Sequence, residues 1–183
     1  MKIDFILNDK DVSAVIEPEM SLLTVLKDVM HITSVKRACT RGECGACTVI
    51  VDGKAMNSCL ILAATMDGKS VYTVESLGTP DNMHPIQQAF YDSGAFQCGF
   101  CTPGFIMSAK ALLDKNPNPT KDEIRRGLSG NLCRCTGYIK PLEAVGIAAE
   151  YLKASDIAVD AVSDAAERMN AGTSVERDGY RHV

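Results

Sequence analysis

The sequence predicts an α+β chain in two units: a strand-rich unit over residues 1–76 and an all-α unit over residues 84–153. A linker at 77–83 joins them, and a tail occupies 154–183. Three observations carry this. Apolar residues alternate with polar ones, between turn signals, in the first half of the chain. In the second half they recur at helical spacing behind capping residues. Eight cysteines fall into two quartets, one in each half, with none left over.

In the first unit, Ile3, Phe5 and Leu7 alternate with polar neighbours, Asn8-Asp9-Lys10 reads as a turn, and Val12 to Ile16 returns as a second strand. Ser21 caps a helix with Leu22, Val25, Leu26 and Val29 on one face. Thr48 to Val51, Asp52-Gly53 and Lys54 to Met56 form a second hairpin, and Val71, Thr73 and Val74 offer a last strand. Between helix and second hairpin lies a glycine-containing loop over residues 36–47.

Leu77 to Met83, with Gly78 and Pro80, reads as the linker. Beyond it, Pro85 opens a helix that Gly94 stops, and Pro103 opens a second that NPNP ends. Thr120 with Glu123 is a capping box for a third, and Pro141 starts a fourth with Leu142, Val145, Ala149 and Leu152 on one face. Four helices imply a bundle, with Cys98 and Cys101 after the first helix and Cys133 and Cys135 before the last. The tail has no cysteine and only a weak alanine-rich helical stretch.

With 183 residues the chain holds two small domains, each carrying one quartet, and leaves no room for a molybdenum or flavin domain. Net charge is −4, there is no long basic run, and 5% of residues are aromatic, which argues against a nucleic-acid partner. Asp4, Asp9 and Asp11 interrupt the place where a secretory signal would have its apolar core, and no apolar run reaches membrane-spanning length. A cytoplasmic protein with no membrane partner is expected. Disulfides are rare in that compartment, whereas cysteine clusters there bind metals.

The first quartet is Cys39, Cys44, Cys47 and Cys59, and its C-x4-C-x2-C run with a later cysteine is the spacing by which one loop wraps a 2Fe-2S cluster. Gly42 and Gly45 flank the central cysteines, where a missing side chain lets backbone N–H groups approach cluster sulfurs. Structural zinc is the alternative, but it pairs cysteines on two separate hairpins, whereas three of these share one loop. The second quartet, Cys98, Cys101, Cys133 and Cys135, is by itself more open to zinc.

The strand and helix order of the first unit resembles the β-grasp of plant-type ferredoxins. Together, ACTRGECGACTV, QCGFCTPG and LSGNLCRCTGY resemble, in order and spacing, the signature segments of the small iron-sulfur subunit of the molybdenum hydroxylases, the family of xanthine dehydrogenase, aldehyde oxidase and carbon monoxide dehydrogenase. The resemblance spans residues 1 to about 153 and excludes the tail. It implies a flavin-side 2Fe-2S cluster on Cys39, Cys44, Cys47 and Cys59, and a molybdenum-side 2Fe-2S cluster on Cys98, Cys101, Cys133 and Cys135. It also implies that Gln97 hydrogen-bonds a molybdopterin, since an amide donates and accepts at once, and that Cys135 touches the pterin amino group.

The implied function is electron transfer within an oxidoreductase complex. Electrons pass from the molybdopterin of a large subunit through both clusters to FAD of a medium subunit, in a hetero-oligomer such as a dimer of heterotrimers. No nucleophile, general base or phosphate-binding glycine loop stands out in the chain, as expected for a subunit that is not catalytic alone. Family frequency leans toward a purine or other N-heterocycle as substrate. The alternatives are an aldehyde or carbon monoxide dehydrogenase subunit, or a non-catalytic zinc or iron-sulfur module. A free shuttle ferredoxin would carry a marked steering charge, yet basic and acidic side chains balance across residues 77–152. His31, His84 and His182 read as surface or capping residues, Arg134 as a cluster-tuning or interface cation, and the methionines as core and interface filler.

Overall fold

The computed structural model describes residues 1–154, so the expected tail lies outside the described residues apart from Ala154. Strand β1 (Lys2–Leu7) pairs antiparallel with β2 (Lys10–Val15) through a turn in which Asn8 and Asp9 both take positive φ, the geometry of a tight hairpin. A short helix α1 (Leu22–Thr24) follows, with the Ser21 side chain accepting from the Thr24 N–H. It runs on as a π-helical turn (Val25–Val29), closed by Met30 N–H on the Val25 carbonyl at 2.9 Å.

Strands β3 (Thr48–Val51) and β4 (Lys54–Asn57) form the second hairpin, and β5 (Ser70–Tyr72) runs parallel to β1 and antiparallel to β3. The result is a mixed five-stranded sheet in the order β2-β1-β5-β3-β4. The last strand is shorter than its sequence suggests. Thr73 leaves the ladder, donating its N–H to Asn8 Oδ1 at 2.8 Å, and Val74–Ser76 turn into a 3-10 helix.

Four helices follow: α2 (Pro85–Asp92), α3 (Thr102–Lys115), α4 (Lys121–Gly127) and α5 (Ile139–Ala154). Both predicted starts at Pro85 and Thr120 hold. His84 caps α2 through its side chain, and Thr120 with Glu123 forms the capping box of α4. Helix α5 begins two residues before Pro141, directly after Tyr138, whose φ is +69°. Proline inside a first turn removes no helical hydrogen bond, so the helix extends backward past it.

The two halves share a core. β3 reads TVIV and is buried along its whole length, with three apolar residues in a row, because both of its faces are covered. Val49 and Val51 join Ile3, Phe5, Leu22 and Leu26 on one side. Ile50 packs on the other with Tyr72 and with Met107 and Ala111 of α3. The helical half closes around Phe90, Phe105, Leu113, Ile124, Val145 and Ala148.

Candidate metal centres

The first cysteine loop leaves the π turn and enters β3, held by Lys36 N–H on the Ala46 carbonyl at 3.1 Å. Arg41 N–H donates to Cys39 Sγ at 3.4 Å. That donor, with others from Cys44 and Glu43, draws the Cys39 thiol down to about 6 against a slight desolvation. Cys59 lies in the 3-10 turn after β4, which Ser58 ties back by donating its hydroxyl to the Cys47 carbonyl at 2.8 Å. Burial, then hydrogen bonding to Cys47, pushes the Cys59 thiol up to about 11. The four thiols influence one another, Cys44 lowering Cys39 while both Cys47 and Cys39 raise Cys59.

The second site is built from the turn before α3 and the loop before α5. Cys98 and Cys135 are exposed, with their sulfurs 3.7 Å apart, and hydrogen bonding to Cys98 raises the Cys135 thiol. Cys101 is the N-cap of α3, and its thiol is acted on by that of Cys133. Burial and then that influence push the Cys101 thiol up to about 12. Burial works against ionising Cys133 as well, but the hydroxyl and N–H of Thr136 and the N–H of Cys135 outweigh it and bring the thiol down to about 7. The Thr136 hydroxyl lies 3.1 Å from Cys133 Sγ. By exposure this quartet has an inner pair (Cys101 and Cys133) and an outer one (Cys98 and Cys135).

Each quartet supplies four thiols, the ligand count that a 2Fe-2S cluster takes on its two irons. Tetrahedral zinc would take four thiolates around one ion. The cysteines present fit a binuclear cluster at each quartet.

The two sites are bonded to one another, which the sequence did not reveal. Leu132 N–H donates to the Cys44 carbonyl at 2.9 Å, and Asn131 Nδ2 donates to the Gly45 carbonyl at 3.1 Å. The Gly45 carbonyl also accepts the Thr48 hydroxyl at 2.7 Å. Gly45 has φ +66°, and a Cβ there would overlap the Gly130 carbonyl and the Asn131 amide. A Cβ on Gly104, in the first turn of α3, would overlap the Gly45 carbonyl oxygen. Asn131, 4% exposed, is the residue that sequence reasoning missed. Asparagine beside glycine reads as a turn former, with no local sign of a bond 86 positions away.

Gln97 stands exposed beside Cys98, and its amide has no hydrogen-bond partner among the described residues. The segments around the outer pair also expose Phe96, Phe100, Leu132 and Ile139. Arg134 is exposed and makes no ion pair among the described residues. His31 is exposed with φ +57°, His84 is the α2 cap, and His182 lies outside the described residues. Among the methionines, Met66 and Met107 are buried, while Met1 and Met56 are exposed. No helix of the described residues is long and apolar enough to cross a membrane.

Comparison with known proteins agrees with this geometry. Residues 5–71 match the family model of the 2Fe-2S iron-sulfur cluster binding domain, and residues 73–146 match that of the [2Fe-2S] binding domain. The nicotinate dehydrogenase small FeS subunit of Eubacterium barkeri is 50% identical over 144 residues, covering 79% of this chain and 92% of that one. The nicotine 6-hydroxylase small subunit of Paenarthrobacter nicotinovorans is 47% identical over 145 residues, covering 79% of this chain and 87% of that one. In the crystal structure of quinoline 2-oxidoreductase from Pseudomonas putida 86, a chain 40% identical superposes with a TM-score of 0.81, over 86% of this chain and 98% of its own length. A fold shared with such a chain, two matched 2Fe-2S domains and half-identical small subunits place this protein in the molybdenum hydroxylase family, among its small iron-sulfur subunits.

Proposed function

We propose that this chain is the electron-transfer subunit of a molybdenum hydroxylase. It takes electrons from the molybdopterin centre of a large subunit and passes them through two clusters to FAD of a medium subunit, in an assembly such as a dimer of heterotrimers. In this reading residues 1–76 and 84–153 are its two cluster domains, the second a four-helix bundle. Cys39, Cys44, Cys47 and Cys59 hold the flavin-side cluster, and Cys98, Cys101, Cys133 and Cys135 the molybdenum-side one. Gln97 and Cys135 face the pterin. Each 2Fe-2S cluster supplies a one-electron redox centre.

The observation that carries the reading is the junction between the loops. The carbonyl of Cys44 accepts the N–H of Leu132, the residue before Cys133, so one hydrogen bond joins a cysteine of the first quartet to the neighbour of a cysteine in the second. Gly45, Asn131 and Thr48 fix that junction. The outer pair, with Gln97 and the exposed apolar side chains near it, suits a face that docks on a cofactor-bearing partner. The two relatives at 50% and 47% identity are named for nicotinate and nicotine, whereas the aldehyde oxidoreductases among the relatives stand at 40% and 42%, which leans toward an N-heteroaromatic substrate.

Anaerobically purified protein is expected to hold four irons and four labile sulfides per chain, with two distinguishable EPR signals on reduction. Stoichiometric zinc without sulfide would overturn the reading. For the substrate, the complex isolated from its native host is expected to be reduced by N-heteroaromatic carboxylates or bases faster than by aldehydes.

A further inference from the structure

Among the described residues, one buried side-chain oxygen or nitrogen has no hydrogen-bond partner: Oγ1 of Thr102. A hydroxyl left buried and unpaired loses its bonds to water with nothing in return, so native proteins rarely tolerate one without a ligand to satisfy it. Its position is specific. Thr102 is the first residue of α3, directly after Cys101, and its backbone N–H is already committed to the Gly99 carbonyl at 3.3 Å. Cys133, which acts on the Cys101 thiol, receives the hydroxyl of a second threonine, Thr136, at 3.1 Å. Each cysteine of the inner pair thus has a threonine close by in sequence. One of these hydroxyls is spent on a cysteine sulfur and the other is free.

We propose that the Thr102 hydroxyl donates a hydrogen bond to a sulfur of the cluster held by Cys98, Cys101, Cys133 and Cys135, and thereby raises the reduction potential of that cluster. This rests on the reading that the second quartet holds a 2Fe-2S cluster. Reduction adds one negative charge to the cluster, and donors to its sulfurs favour the more negative state. The outer half of the site has exposed cysteines and no buried hydroxyl awaiting a partner, so the added stabilisation falls on the inner half. Thr102 acts as a positioning and tuning residue, since it makes no bond to iron.

The test is an EPR-monitored redox titration of the full chain in its complex, comparing wild type with Thr102→Val and Thr102→Ser. In Thr102→Val, the equilibrium constant for reducing one cluster is expected to fall roughly tenfold, about 59 mV for a one-electron couple. The other cluster should keep its potential, and Thr102→Ser should titrate like wild type. Thr102→Ala, which removes the hydroxyl without adding bulk, gives the same comparison if the valine variant loads iron poorly. Both potentials unchanged in a hydroxyl-free variant with four irons bound would overturn the proposal and leave the cluster reading standing. An equal shift of both clusters would also overturn it, as the mark of a general structural disturbance. Only two irons per wild-type chain would overturn the cluster reading itself.

Discussion

A single exposed carboxamide carries the pterin contact of the proposed function. Gln97 is the solvent-facing neighbour of Cys98, and its amide makes no hydrogen bond within the described residues. Replacing it with Leu is expected to leave both clusters in place, since it holds no thiol. In the assembled complex, the loss of an amide at a polar cofactor costs about 1–3 kcal/mol. Electron exit from molybdenum should slow several-fold to hundredfold in stopped-flow reduction, and unchanged rates with unchanged pterin content would reduce Gln97 to a bystander. His84 offers a second test at this scale. Burial, with a contribution from Lys110, lowers its pKa from 6.5 to about 4, so it caps α2 as a neutral ring whose Nδ1 accepts the Ile86 N–H at 3.2 Å. Between these two values the unfolded chain binds a proton that the folded chain does not, and stability must fall as pH drops through that window. His84→Asn keeps a capping acceptor and removes the titration. Its urea midpoint should decline less than that of wild type between pH 7 and pH 4.5.

At the level of elements, α3 matters most, because it belongs to both halves at once. Met107 and Ala111 close the second face of β3, and Gly104 lets the first turn of α3 lie against the Gly45 carbonyl. Gly104→Ala would drive a methyl group into that backbone oxygen. It should cost about 1–3 kcal/mol in a denaturation midpoint and weaken iron retention at the first quartet. Asn131→Ala removes one donor from a carbonyl that keeps the Thr48 hydroxyl, and should cost about 1 kcal/mol. The elements themselves were legible in the sequence because their signals are local. Asn8-Asp9 and Asp52-Gly53 announced hairpins, and Ser21, Pro85 and Thr120 announced helix starts. The contacts that unite them were not. The pattern of α3 shows that it is apolar without naming β3 as its partner, and the π turn at Val25–Val29 breaks a periodicity that reads as an ordinary helix. Thr102, between a cysteine and a proline, looks like a helix-start residue until its lack of a partner is seen in three dimensions.

For the whole molecule, the proposed function puts the two sites in series, and one variant separates their contributions. Cys44→Ala removes a thiol of the first quartet but keeps the backbone carbonyl that Leu132 bonds, so the junction survives. Substrate should still reduce molybdenum and the second cluster in that variant, while flavin reduction and turnover with an external acceptor collapse. Normal flavin reduction in stopped flow would disprove the serial order. The junction also bears on how the protein is made. The ribosome delivers Gly45 a full 86 residues before Asn131. Through that interval the first cysteine loop waits without the amide that will hold it, beside a sheet strand whose second face stays bare until α3 has been made. The loop reaches its clamped form only once the helical half has emerged and folded back, so the finished first site waits on the loop of the second, and the protein matures as one object although its sequence is written as two.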